Sequence, residues 1–172
     1  MLYPILLLGA ALASGPRLSI GAPARGFALP AVNADVAIKS VGSATVKLHD
    51  LVGLDAPRAQ KAVVLHFFEV GAGDHVLGGL SRLDQTREDI TVIGVLSDVR
   101  GLSSVNTWVT GKDLAFPVVF DEHRVVFQRY AVDSSPLTVV VDGQGNVHAI
   151  GTTQGDAFQA ELEAVLASIQ AP

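Results

Sequence analysis

Residues 63–75 read VVLHFFEVGAGDH, an unbroken apolar run that passes into a glycine-rich turn. The apolar run begins at Ala62 and is rich in valine and phenylalanine, which predicts a strand buried on both faces of a sheet. Asp74 is a residue type that favours helix N-termini, and apolar residues follow it at helical spacing: Val76, Leu77, Leu80 and Leu83. The stretch therefore predicts a strand, a turn and a helix whose N-cap is Asp74.

Strand and helix patterns continue in both directions along the chain. The other strand candidates are residues 27–29, 45–48, 90–96, 116–121, 137–141 and 146–150, whereas residues 36–46 alternate only loosely. The other helix candidates are residues 99–109, 125–130 and 156–169. The resulting order β-α-β-α-β-β-α predicts an α/β domain with a mixed central sheet and helices on both faces.

Composition limits the possible functions. The chain has 172 residues, of which 49% are hydrophobic, enough for the core of one domain. Its net charge is −5 and its basic residues are scattered, which argues against nucleic acid as a partner. It contains no cysteine, so disulfides, thiolate metal sites and a lipid-modified N-terminal cysteine are excluded. We divide it into an N-terminal segment (residues 1–13), a linker (14–26) and one domain (27–172).

The N-terminal segment resembles an export signal. Residues 1–12 are almost wholly apolar, and Ala11-Leu12-Ala13 fits the small-x-small rule for cleavage before Ser14, although the segment lacks Lys and Arg. A bilayer-spanning helix needs about 20 apolar residues, so this run is too short. We expect an exported, periplasmic or otherwise extracytoplasmic protein. The alternative is a retained apolar arm, and then residues 1–13 are the only expected membrane contact.

Six segments, in order, resemble the thioredoxin-like superfamily. They are residues 21–30 (GAPARGFALP), 46–53 (VKLHDLVG), 63–68 (VVLHFF), 93–98 (IGVLSD), 116–121 (FPVVFD) and 130–138 (YAVDSSPLT). The most similar branch is the redoxins, which include the alkyl hydroperoxide reductase/thiol-specific antioxidant family and related periplasmic thiol–disulfide oxidoreductases. The resemblance covers about residues 20–170 and implies a three-layer α/β sandwich. It also implies that Pro136, which follows Ser135, is the family's cis-proline.

The resemblance places the family's two catalytic cysteines near Ala72 and His75, but the slot reads Gly71-Ala72-Gly73-Asp74-His75. Thiol peroxidase and disulfide-exchange chemistry both require a thiolate, so the chain alone is excluded from both. The residue types in this slot also suggest two other chemistries. Asp74 and His75, with Glu69 upstream, would be an acid–base pair or metal ligands, but adjacent helical residues point to different sides. The Gly-Ala-Gly turn lacks the spacing of a phosphate-binding loop.

Structural roles are favoured for the remaining chemistry-bearing residues. We expect Asp74 to cap its helix, His75 to be solvated and His66 to be a hydrogen-bonded core or edge residue. The cluster Asp121-Glu122-His123-Arg124 is interpreted as a solvated loop. The sequence thus predicts no catalytic residue, no cofactor and no metal.

Three functional hypotheses follow. The first is a redox-inactive protein-binding or assembly module, or a subunit of a larger complex, that uses the groove beside Gly71–His75 and Ser135-Pro136. In the family, this groove receives extended polypeptide, and strand-type pairing needs no sulfur. The second is a redoxin-family oxidoreductase with a divergent site or a thiol supplied by a partner. The third is a structural domain tethered by its apolar N-terminus.

Overall fold

The computed structural model describes residues 18–152 and 154–169. The seven strands are β1 (Ala28–Pro30), β2 (Thr45–Lys47), β3 (Ala62–Phe68), β4 (Ile90–Leu96), β5 (Val118–Phe120), β6 (Leu137–Asp142) and β7 (Val147–Gly151). The five α-helices are α1 (Ala34–Val41), α2 (Leu77–Thr86), α3 (Leu102–Lys112), α4 (Val125–Arg129) and α5 (Ala157–Ser168). Two short 3-10 turns, Leu48–Asp50 and Asp74–Val76, complete the regular structure of the described residues.

A mixed five-stranded sheet forms the middle layer, in the order β5-β4-β3-β6-β7. Strands β3, β4 and β5 are parallel, and β6 is antiparallel to β3 and to β7. Every residue of β3 and β4 is buried, because these strands lie inside the sheet with both faces covered. Strands β1 and β2 form a separate antiparallel pair.

The core divides into two apolar clusters, one on each face of the sheet. Successive residues of β3 alternate between them, so that Val64 and Phe68 belong to one cluster and Val63 and Phe67 to the other. The first cluster includes residues of α2, α3 and α5, and the second includes residues of α1, α4 and β2. The predicted α/β architecture, with a mixed sheet and helices on both faces, is confirmed.

Helix α1 differs from the loose alternation noted in residues 36–46. Ala37 and Val41 are buried four residues apart, which is the spacing of one helix face, while Asp35 and Lys39 lie elsewhere on the helix. Asn33, just before the helix, anchors it to the sheet edge by donating to the carbonyl of Phe116 (2.9 Å) and accepting from the amide of Val118 (2.8 Å). A short helix with only two buried positions carries little periodic signal, so tertiary contacts define it.

Residues 21–24, at the end of the predicted linker, pair with the β6–β7 hairpin. The Gly21 amide donates to the Val147 carbonyl (2.7 Å), and the Val147 amide donates to the Ala22 carbonyl (2.8 Å). The predicted signal segment, residues 1–13, lies outside the described residues. Within residues 18–152 and 154–169, no helix combines the length and apolar character that crossing a bilayer requires.

Candidate functional site

Strand ends bring five loops together at one edge of the sheet. The parallel strands β3, β4 and β5 end there, β6 begins there opposite Phe67, and β7 ends there opposite Thr138. We call residues 69–75 the slot. We call the slot together with the neighbouring loops (residues 97–101, 121–124, 133–136, 152 and 154–156) the slot edge. The carboxyl ends of parallel strands are where sites form in open α/β sheets.

The slot is a tight turn that has no room for a side chain at Gly73. The amide of Ala72 donates to the carbonyl of Glu69 (2.9 Å), and a second bond runs from Glu69 to Ala72 (3.3 Å). Gly73 has φ +92°, and a Cβ at this position would lie 2.6 Å from Cβ of Pro136 and 3.3 Å from Nε2 of His66. The backbone of the slot therefore packs directly against the Ser135-Pro136 loop, whose peptide bond is cis, as the resemblance implied.

His66 supports the slot from below and is a satisfied core residue, as predicted. Its ring is 1% exposed, with Nδ1 3.0 Å from Oγ1 of Thr138 and Nε2 3.2 Å from the carbonyl oxygen of Gly73. Burial lowers the pKa of His66 to about 4, so the ring is neutral at pH 7. A carbonyl only accepts, so Nε2 carries the proton and donates to Gly73, while the hydroxyl of Thr138 donates to Nδ1. Both ring nitrogens are thus used, and neither is available to a metal.

Aromatic rings and a small cavity surround this histidine. The ring of His66 stacks on Phe68 at 5.5 Å between centroids and meets Phe158 edge-on at 6.1 Å. Beside it, between β6, β7 and α5, lies a cavity of about 180 Å³ lined by Thr138, Phe158 and Leu162 among others. The interior below the slot is therefore mainly apolar, with one hydrogen-bonded polar path from Thr138 through His66 to Gly73.

Ion pairs hold the slot to the neighbouring loops and helices. Glu69 pairs with Arg124, whose guanidinium also lies 4.5 Å from the ring centroid of Phe127. Asp98 binds Arg100 through two hydrogen bonds of 2.7 and 2.8 Å and also accepts from the backbone of Val70. The bond from Arg100 is the largest of the interactions that lower the pKa of Asp98. These contacts fix the first half of the slot.

Asp74 is not a helix cap, contrary to the prediction. Gly73, in the left-handed region, precedes the 3-10 turn Asp74–Val76, and neither that turn nor α2 has a side-chain capping bond. Asp74 therefore lies inside the helical segment, and its carboxylate reaches Nζ of Lys112 at 3.6 Å. The Lys112 ammonium in turn lies 5.1 Å from the ring centroid of Trp108.

His75 is exposed, in agreement with the prediction that it is a solvated first-turn residue. Its Nε2 accepts a hydrogen bond of 3.3 Å from the amide of Gly155, in the loop before α5. Asp74, His75 and Glu69 thus contact three different partners and do not form one acid–base site. Among the described residues, no group of three or more histidines and carboxylates is placed to hold a metal ion.

The prediction that Asp121-Glu122-His123-Arg124 is a solvated loop is wrong for Asp121. This residue is 3% exposed, and its carboxylate accepts hydrogen bonds from the amides of Val125 (2.8 Å) and Phe127 (2.9 Å) at the start of α4. Asp121 therefore caps the N-terminal end of α4, because it accepts hydrogen bonds from amides that have no partner within the helix. Arg124, in the same cluster, is half-buried against Glu69.

The sequence singled out the slot and Ser135-Pro136 but not the residues that hold them. Asp98, Lys112, Thr138 and Gly155 all contact the slot or its supporting histidine, and each lies far from residues 69–75 in sequence. For Asp98 there was a signal, because it lies two residues after the end of a buried parallel strand, β4. The others are brought in by the crossing of helices and strands, which the sequence pattern does not specify.

The geometry agrees with similarities to known proteins. No curated protein is significantly similar to the chain. A Chlorobium tepidum structure described as a thiol:disulfide interchange protein DsbE is 19% identical, with a TM-score of 0.72 and coverage of 88% of this chain and 98% of that one. A secreted disulfide oxidoreductase of Mycobacterium tuberculosis is 19% identical, with a TM-score of 0.60 and coverage of 83% and 95%. An exposed lipoprotein thioredoxin of Streptococcus pneumoniae is 19% identical, with a TM-score of 0.63 and coverage of 82% and 98%.

Identities this low show the fold alone, and the fold is thioredoxin-like. The family is shown by a separate finding, because the model of the AhpC/TSA family matches residues 20–150, most of the domain. The cysteine-free slot occupies the edge of the sheet at which the resemblance places the family's thiol chemistry. The chain belongs to the AhpC/TSA family and has a thioredoxin-like fold without cysteine.

Proposed function

We propose that this chain is a redox-inactive, thioredoxin-like binding module that acts in an assembly with a protein partner. The proposal rests mainly on the composition and packing of the slot. It contains no thiol, and its backbone is packed against Pro136 so closely that Gly73 has no space for a side chain. A peroxidase or disulfide-exchange enzyme needs an accessible thiolate, and fold alone does not supply one.

Unpaired backbone groups at the slot edge support a binding role. Among the described residues, the backbone groups of Gly71 and Ser135 make no backbone–backbone hydrogen bond. Gly71 is exposed and Ser135 is half-buried, so both are accessible to an incoming chain. An extended polypeptide segment gains affinity by bonding such backbone groups and gains specificity through side-chain contacts.

The contacts of the slot argue against the oxidoreductase alternative. Glu69, Asp74 and His75 are each engaged by a neighbouring element, so no free acid–base pair remains at this position. A thiol supplied by a partner would carry any exchange or peroxide chemistry itself, because this chain has no thiol or disulfide of its own.

We further propose that the protein is exported, so that the partner is extracytoplasmic. This rests on the apolar residues 1–13 and on the similarity to a secreted and to an exposed bacterial protein. The intact mass of the mature protein tests it. A mass that begins at Ser14 supports export with cleavage, and retention of residues 1–13 supports the tethered form.

The binding proposal is tested by site-specific photo-crosslinking in the organism that makes the protein. A photoreactive amino acid replaces Ala72 in the slot, and Leu54, 98% exposed in the loop after β2, serves as the control position. We expect a discrete adduct at position 72 and none at position 54. The absence of an adduct at both positions contradicts the proposal.

A parallel assay measures insulin reduction and peroxide consumption by the purified chain. We expect no turnover with either substrate. Turnover that disappears in the variant His75→Ala would replace the binding proposal with an enzymatic one.

A further inference from the structure

We infer that the slot edge recognises an extended, basic polypeptide segment of the partner that carries aliphatic side chains. This inference rests on the proposed binding function and adds the chemistry of the segment. It combines two independent features of the same edge: a set of exposed aliphatic side chains and an excess of negative charge.

Exposed aliphatic side chains are concentrated near the slot. Val99 is 104% exposed, Leu102 is 52% exposed and Val125 is 46% exposed. Together they make up half of the large exposed hydrophobic residues of the described chain. We call these three residues the aliphatic shelf. Grouped exposed apolar side chains on a soluble domain mark interaction surfaces more often than single ones do.

The shelf and the slot belong to one connected surface. Leu96 pairs with Phe120 where β4 and β5 end, so the loops that follow these strands leave the sheet side by side. Val99 lies in the first loop, and Leu102 and Val125 are the first residues of the helices that follow the two loops. Asp98, next to Val99, accepts from the backbone of Val70, and Arg124, next to Val125, pairs with Glu69. A segment that lies across Ser135 and Gly71 therefore reaches Val99 within the slot edge and Leu102 and Val125 at its border.

The charge of this edge selects the sign of the partner. It contains seven carboxylates (Glu69, Asp74, Asp98, Asp121, Glu122, Asp133 and Asp156). Three bases pair with Glu69, Asp98 and Asp74: Arg124 and Arg100 within the edge, and Lys112 of α3 beside it. Seven negative and three positive charges leave a local net charge of −4, compared with −5 for the whole chain. The negative charge of the protein is thus concentrated at one edge.

Three of these carboxylates are free to attract a cation. Glu122, Asp133 and Asp156 are exposed, and none has an ion-pair partner among the described residues. Such charges increase the rate of encounter and select the sign of the partner more than they add affinity, while apolar burial supplies the attraction. A basic segment with aliphatic side chains satisfies both requirements, whereas an acidic segment would be repelled.

The inference is tested with four fluorescent, N-acetylated and C-amidated decapeptides of extended sequence. Lysine or glutamate alternates with leucine or serine, which gives basic–aliphatic, acidic–aliphatic, basic–polar and acidic–polar probes. Fluorescence anisotropy with the purified full chain measures affinity, and amide chemical shifts of Gly71, Ser135 and Val99 locate the site. We expect the basic–aliphatic probe to bind at least about tenfold more tightly than each of the others.

Variants separate the two features of the edge. The double variant Val99→Ser/Leu102→Ser is expected to weaken the basic–aliphatic probe about tenfold or more, while the matched control Leu54→Ser leaves its affinity unchanged. The triple variant Glu122→Gln/Asp133→Asn/Asp156→Asn is expected to remove most of the salt dependence between about 50 mM and about 500 mM NaCl. All of these side chains are exposed, so folding is not at risk, and circular dichroism checks it.

Each result supports or overturns a stated part of the account. Equal affinity for basic and acidic aliphatic probes, or an unchanged affinity of the Val99→Ser/Leu102→Ser variant, overturns the inference. If a different probe binds best and still shifts Gly71 and Ser135, the inference fails and the binding function stands. If no probe shifts the slot edge, the inference fails, and the photo-crosslinking at position 72 then decides the binding function separately.

Discussion

Replacement of Gly73 by alanine tests how closely the slot packs against the cis-proline loop. Gly73 has φ +92°, a backbone conformation that costs an L-residue about 1–2 kcal/mol. The new Cβ would also lie 2.6 Å from Cβ of Pro136, and relief of such overpacking costs about 1–3 kcal/mol. We therefore expect Gly73→Ala to lower the free energy of unfolding by about 2–5 kcal/mol.

Gly71 supplies a matched control within the same turn. Its φ is +89°, yet a Cβ there would have no heavy atom within 4 Å. Gly71→Ala should therefore show the backbone cost alone, about 1–2 kcal/mol. The difference between the two variants, about 1–3 kcal/mol, measures the contact with Pro136.

Urea unfolding followed by the fluorescence of Trp108, the only tryptophan, gives both values. Trp108 lies 6.0 Å from the ring of Phe68, at the end of β3, and so reports on the core beneath the slot. Equal destabilisation by Gly71→Ala and Gly73→Ala would refute the close packing described here. A change in the m value, the slope of the free energy of unfolding against urea concentration, would indicate a changed compactness of the denatured or native state or a loss of two-state unfolding.

Three further changes follow from the same contacts. Thr138→Val removes the hydroxyl that donates to His66, so we expect a loss of about 1–2 kcal/mol in urea unfolding, whereas Thr138→Ser retains most of the stability. Burial lowers the pKa of His66 from 6.5 to about 4. Between these pH values the unfolded chain binds a proton that the folded chain does not, so the free energy of unfolding should fall by about 3 kcal/mol as the pH falls through this range. Burial raises the pKa of Asp84 to about 6, which has the opposite effect because the folded form holds the proton more tightly. Thermal unfolding from pH 7 to pH 4 should therefore show a steeper loss of stability in Asp84→Asn than in the natural protein, and an equal slope would contradict the assignment of Asp84. Asp121→Ala removes the carboxylate that caps α4, so the free energy of unfolding should fall by about 1–2 kcal/mol in the same urea assay. Glu122→Ala, at an exposed neighbour, should lower it by less than about 0.5 kcal/mol. A larger effect of Glu122→Ala than of Asp121→Ala would contradict the capping role of Asp121.

The central strands of the sheet could be predicted because their buried residues are consecutive in the sequence. β3 and β4 are continuous apolar runs, and their residues are buried on both faces, as such runs indicate. The stripe of α5 also follows from spacing, since Phe158, Leu162 and Leu166 are buried. By contrast, α1 buries only Ala37 and Val41, and its position depends on contacts of Asn33 with residues more than eighty positions away.

The two aspartates of the site show why local patterns were insufficient. Asp74 has the sequence context of an N-cap, but the left-handed Gly73 starts a 3-10 turn before it and turns its carboxylate toward Lys112. Asp121 stands among charged residues and was interpreted as solvated, yet the end of β5 buries it against the amides of α4. The residue type indicates that each carboxylate can accept hydrogen bonds or pair with a base. Which group it contacts depends on the conformation of the surrounding backbone.

The slot was predictable as a position but not as a structure. The sequence predicted that Gly71, Ala72, Gly73, Asp74 and His75 stand where the resemblance places a redox motif. The side chains and backbone that bond Gly73, Asp74 and His75 lie elsewhere in the chain: His66 in β3, Lys112 in α3 and Gly155 in the loop before α5. Their arrangement comes from the packing of the whole sheet edge, which a single sequence does not display.

The most direct test of a binding role is hydrogen exchange of the protein with and without the partner identified by photo-crosslinking. Binding at the slot edge should slow amide exchange in residues 69–75 and 133–136 and leave the opposite edge, the β6–β7 turn at residues 142–146, unchanged. This is the result that the account predicts. Protection confined to the β6–β7 turn, or a slot edge that exchanges at the same rate in both states, would contradict it.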